Sequence, residues 1–180
     1  MGCGGSKGTF DVVIGDTLVE SEFNVKTDPK TTMKFLCYAE EYPLNVEPGW
    51  EDGKAEMGEI HEAGKSFDVY LKSESGEKVK SAVISKRQVK GMKLSYHFHN
   101  MPGGNSLFDI DSIFELRPCA AGGTTIKRTM CNFKQLRNPE LPLPKKIPGT
   151  IELQHKRLQM LLEEVAAGKR QIGESLAPLK

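Results

Sequence analysis

The chain has 180 residues, 38% of them hydrophobic and 27% charged, with 25 basic and 24 acidic residues for a formal net charge of +1. That length fits one domain with a sizeable core, and the charge balance argues against nucleic acid as a partner. No apolar run approaches the ~20 residues that span a bilayer, and no apolar signal region opens the chain.

The first element in chain order is Met1-Gly2-Cys3-Gly4-Gly5-Ser6, followed by Lys7. It fits the N-myristoylation pattern M-G-x-x-x-[ST], with Gly2 as the acylated amine and Cys3 as an adjacent palmitoylation site. One myristoyl chain binds membranes only marginally, so the second acyl group would make the anchor stable. Cys37, Cys119 and Cys131 complete the cysteines; none has C-x-x-C spacing or a zinc pattern with histidine. Free, mostly buried thiols in a reducing compartment are expected.

Thr17 to Val25 alternates, with Val19, Ser21, Phe23 and Val25 on one face and Glu20, Glu22 and Asn24 on the other, which predicts a half-buried strand. Asp28-Pro29 reads as an N-cap with proline at the first helical position. Met33, Leu36 and Cys37 at helical spacing predict a short helix over 29–38, with a further turn near Tyr38–Tyr42. Pro43 and Pro48-Gly49 break it before Trp50. Strands follow at Lys54–Glu62, Lys65–Ser73, Lys78–Lys86, Lys93–His99, Leu107–Leu116 and Thr124–Phe133, a single antiparallel meander. Turns fall at Ala63-Gly64, Ser75-Gly76, Lys90-Gly91, Met101–Asn105 and Ala120–Gly123.

Pro139, Pro142, Pro144 and Pro148 punctuate the connection to a long helix that the proline rule starts near Pro148. Ile151, His155, Leu158, Leu162 and Val165 form one stripe along it. Gly168 is the expected terminator. The domain plan is a flexible acylated segment (1–8), one folded domain (9–167) and a C-terminal tail (168–180).

A strand, a short helical segment, a run of antiparallel strands and a long amphipathic C-terminal helix leave that helix as the one element able to cover the sheet's concave face. Four features carry a family likeness: Thr17–Val25 running into Asp28-Pro29; Pro48-Gly49-Trp50; the hairpin Phe114-Glu115-Leu116-Arg117-Pro118 with Gly122-Gly123-Thr124-Thr125-Ile126; and the helix from Pro148. In this the chain resembles the START-like helix-grip superfamily, also called SRPBCC, which includes polyketide cyclase/dehydrase-like proteins. The Gly-rich loop of its plant allergens is absent, because Glu62-Ala63-Gly64-Lys65 is too short. The resemblance implies an α+β helix-grip fold, a curved antiparallel sheet of about seven strands wrapped on the C-terminal helix.

It also implies a hydrophobic ligand held between sheet and helix. The residues expected at that site are Trp50, Phe67, Val69, Tyr96, Phe98, Phe114, Met130, Ile151, His155, Leu158 and Leu162. The alternative is a filled core with no cavity. Tyr38, Tyr42 and Trp50 would either line the entrance or close the core at that end. His97 and His99 share one strand face; no third ligand is apparent near them and His61 is unplaced, so no metal is expected. No catalytic motif or cofactor signature is present. Lys145-Lys146 and Lys169-Arg170 flank the helix, where they would add modest attraction to anionic lipid.

The expected function is that of a membrane-anchored binding protein for a hydrophobic small molecule or lipid, peripheral on the cytosolic face of a membrane. A polyketide cyclase/dehydratase-like enzyme and a ligand-free membrane-recruited adaptor are the alternatives.

Overall fold

The computed structural model describes residues 12–37, 54–55, 67–72 and 77–172. Among the described residues, seven strands form one sheet: β1 (Thr17–Val25), β2 (Lys54–Ala55), β3 (Phe67–Lys72), β4 (Lys78–Lys90), β5 (Lys93–Asn100), β6 (Phe108–Pro118) and β7 (Thr124–Gln135). Their order is β1-β7-β6-β5-β4-β3-β2, and every pairing is antiparallel. The strands from β2 onward make a meander, and β1 returns beside its last member. Helix α1 (Pro29–Cys37) follows β1, and α2 (Leu143–Ala166) closes the described chain. No described helix is long and apolar enough to cross a membrane.

Local chemistry sets the start of α1. Asp28 Oδ1 accepts from the backbone N–H groups of Lys30 (2.9 Å) and Thr31 (3.1 Å), while Pro29 takes the first position, where no N–H is needed. The Thr31 hydroxyl also donates to Asp28 Oδ2, and these bonds hold the Asp28 carboxyl below its usual pKa. Thr27, Thr32 and Thr124 then join in a buried hydroxyl cluster that ties the helix to the start of β7.

Two boundaries differ from the sequence expectation. Strand β4 runs four residues past Lys86, because a bulge between Ser85 and Gln88 resets the alternation against β5. Helix α2 begins at Leu143 rather than near Pro148. Pro144 lies in the first turn, where a missing N–H costs nothing, and Pro148 forfeits one bond in a helix otherwise packed on the sheet. At the other end, Gly168 adopts φ +68°, with Gly168 N bonded to Val165 O and Lys169 N to Glu164 O. That is a Schellman stop.

The expected strand Lys54–Glu62 is represented by Lys54–Ala55 alone, since residues 56–66 lie outside the described part. The acylation segment, Tyr38, Tyr42, Trp50 and His61 also lie outside it.

The core between sheet and helix has two apolar parts. One joins Phe35 and Leu36 of α1 to Leu94, Phe114, Ile126, Leu158, Leu161 and Leu162. The other joins Ile110, Met130, Ile147 and Ile151. The buried polar residues Arg128, Gln154 and His155 lie between them along α2 and β7.

Candidate ligand cavity and its polar end

On the concave face, β5, β6, β7 and the first turns of α2 line an open-mouthed cavity of about 260 Å³. Alternation delivers Tyr96 and Phe98 from β5, Phe108 and Ile110 from β6, and Arg128 and Met130 from β7. Leu143, Ile147, Ile151 and Gln154 come from one face of α2. Asn100, Leu107, Lys146 and Thr150 complete the wall, and Lys146 is exposed. The walls are mainly apolar and aromatic, as in most small-molecule sites, and the volume falls just below the usual ~300–1,000 Å³.

Arg128 forms the polar end. Its side chain is 2% exposed. Nε donates to Ser112 Oγ at 3.3 Å and Nη1 to Gln154 Oε1 at 3.0 Å. The guanidinium lies over the Phe114 ring, 4.8 Å from its centroid. Nη1 also reaches His155 Nε2 at 3.5 Å. An arginine can only donate, so Nε2 is the acceptor and the His155 proton sits on Nδ1, facing Ser21 Oγ at 3.3 Å. His155 stacks on Phe23 with centroids 4.5 Å apart. Burial, and secondly the Arg128 charge, push its pKa down to about 3, so this imidazole is neutral at ordinary pH.

Of the residues singled out from sequence, Tyr96, Phe98, Met130 and Ile151 line the cavity. Phe114, Leu158 and Leu162 instead pack in the neighbouring core, each at 1% exposure or less. His155 sits in the polar layer beside the cavity and is not part of its wall. The backbones of Phe67 and Val69 pair with Ile84 and Ala82 in the sheet; Trp50 lies outside the described residues. Arg128 and Gln154 escaped sequence reasoning. The signal for Arg128 was present, because it lies two residues before Met130 and so shares its face.

His97 and His99 lie on the face opposite Tyr96 and Phe98 and are half-buried. The register sets Asp111 across from His97 and Asp109 across from His99. Sequence spacing within one strand could not show those partners. Among the described residues Cys37, Cys119 and Cys131 form no disulfide, and Cys131 has its pKa raised by burial and by the Asp111 charge.

No family model matches the chain, and no curated protein does. Solved structures match well. A START superfamily protein from Mycobacterium smegmatis is 15% identical with a TM-score of 0.56, covering 82% of this chain and 97% of its own. Ara h 8.0201 is 16% identical with a TM-score of 0.58, covering 83% and 97%. A protein from Chromobacterium violaceum is 13% identical with a TM-score of 0.62, covering 81% and 96%. The fold is START-like. At such identities the likeness concerns architecture, and the domain takes its chemistry from its own residues.

Proposed function

We propose that this START-like domain binds a compact hydrophobic molecule, or the apolar part of a lipid, with the ligand's polar or anionic end at Arg128. The observation that carries this reading is the apolar cavity closed at one end by a buried guanidinium. Each Å² of apolar ligand surface taken from water contributes about 25 cal/mol. A hydrogen bond to a charged group contributes about 1.5–3 kcal/mol and fixes orientation. Gly2 and Cys3 would be acylated, holding the domain on the cytosolic face of a membrane where such ligands partition; the M-G-x-x-x-S pattern supports this.

A second reading is an enzyme of the polyketide cyclase or dehydratase type, and the same Arg128 favours it by being placed to hold a developing oxyanion. An arginine does not shuttle protons at neutral pH, so this reading requires Tyr96 or the ligand's own groups to do so. Native mass spectrometry of protein from its own cells tests the main proposal. Two acyl masses on the N-terminal peptide and a retained small molecule are expected. An unmodified, ligand-free protein that binds no amphipathic probe would overturn it, and conversion of a bound ligand to product would select the enzyme.

A further inference from the structure

The geometry points to a divalent metal site of the zinc type on the sheet's outer face, with His97, His99 and Asp109 as ligands. The site is separate from the cavity, since Tyr96 and Phe98 point the opposite way from the same strand.

Each histidine has one ring nitrogen held by a neighbour and the other turned to one shared carboxylate. His97 Nδ1 lies 2.6 Å from Asp111 Oδ1, and His99 Nε2 lies 3.2 Å from Ser85 Oγ. His97 Nε2 and His99 Nδ1 then face the two oxygens of Asp109, at 4.0 and 2.8 Å. One donor atom from each of the three residues falls within 4.8 Å of the others. Cross-strand His–Asp pairing accounts for either pair alone. It does not account for both imidazoles converging on one carboxylate while their outer nitrogens are engaged.

That pattern is what a metal-binding histidine needs. A carboxylate or hydroxyl on the far nitrogen fixes tautomer and ring orientation, and directs the other lone pair at the metal. With metal bound, His97 would keep its proton on Nδ1, donated to Asp111, and His99 would carry its proton on Nε2, facing Ser85. Asp111 is itself braced: Asn132 Nδ2 donates to its Oδ2 at 2.7 Å and to Val13 O at 2.9 Å. Asn132 adopts φ +57° to do this, a conformation that asparagine tolerates better than most residues. Two imidazoles and one carboxylate suit zinc and its neighbours more than calcium or magnesium, and three protein ligands leave a position for water.

Calorimetric titration of the untagged full chain with zinc chloride, paired with cobalt(II) absorption, tests the site. One equivalent of zinc should bind. Cobalt(II) should give d–d bands of a low-coordinate nitrogen–oxygen site. His97→Gln and Asp109→Asn should each weaken zinc binding at least as far as Asp111→Asn, for which loss of an outer partner predicts about 10–100-fold. Zinc should also shield His97 and His99 of the wild-type protein from diethylpyrocarbonate, a readout that needs no variant to fold. The proposal is overturned by no stoichiometric binding, by unchanged binding in His97→Gln and Asp109→Asn, or by a thiolate-to-cobalt charge-transfer band assigning the metal to cysteine.

Discussion

Nη1 of Arg128 on β7 donates to Oε1 of Gln154 on α2 across 3.0 Å, and this bond joins sheet to helix at the inner end of the cavity. It places a permanent positive charge where a ligand's head group would lie. Arg128→Met should therefore weaken a carboxylate-bearing aliphatic probe about 10–100-fold, the value of one charge-assisted bond. The matching alcohol should lose about twofold or less. Equal losses for the two probes, measured by fluorescence displacement with melting curves as control, would remove Arg128 from the site.

His155 gives the fold a definite pH dependence. Its folded pKa of about 3 is below the unfolded value of about 6.5, so between them the unfolded state binds the extra proton. The neutral imidazole's contribution is complete above about pH 6.5 and declines as pH falls toward about 3, by up to about 1.4 kcal/mol per unit. His155→Phe keeps a ring on Phe23 and should flatten this part of the profile. Urea unfolding of both proteins from pH 7 to pH 4 checks it, and parallel profiles would contradict the assignment.

Two glycines should separate conformational strain from steric clash. A Cβ on Gly123 would stand 2.1 Å from Val25 O, and its φ is +84°. Gly123→Ala should cost about 2–3 kcal/mol or more. A Cβ added at Gly168, where φ is +68°, would meet nothing within 4 Å, so Gly168→Ala should cost only about 1 kcal/mol. Equal losses in denaturant midpoints would show that the Val25 carbonyl gives way.

The helix cap offers a smaller test. Asp28→Ala removes the acceptor of two backbone N–H groups and should cost about 1 kcal/mol. Its lowered pKa means this stability holds above the usual aspartate range and is lost as pH falls through the folded value. Asp28→Asn, an alternative cap, should recover most of the loss while removing that pH dependence; thermal melts at pH 7 and pH 3 measure both.

Features legible in the sequence were those encoded over short spans. The β1 alternation, the Asp28-Pro29 cap, the turns at Lys90-Gly91, Met101–Asn105 and Ala120–Gly123 and the Gly168 stop each rest on residues a few positions apart. Helix α2 was legible in its stripe but not in its start, because tertiary packing carries it through Pro148 against the local rule. The end of β4 was hidden by a bulge, which reverses the alternation. The cavity wall was partly legible because one strand face names its own members. Its polar end was not: whether Arg128 meets Gln154 depends on how α2 lies across β7. The pairing of His97 with Asp111 and His99 with Asp109 depends in the same way on register between strands.

The central claim is that the cavity under α2 holds a ligand. Ile151, 5% exposed, lines it midway along the helix. Ile151→Trp would fill part of the 260 Å³ with ring atoms. Equilibrium titration with a fluorescent medium-chain fatty acid should give saturable one-to-one binding to the wild type. In Ile151→Trp it should be weakened about tenfold or more, with melting temperature retained; tenfold corresponds to about 1.4 kcal/mol. No saturable binding to the wild type, or equal affinity for a folded Ile151→Trp protein, would contradict the account.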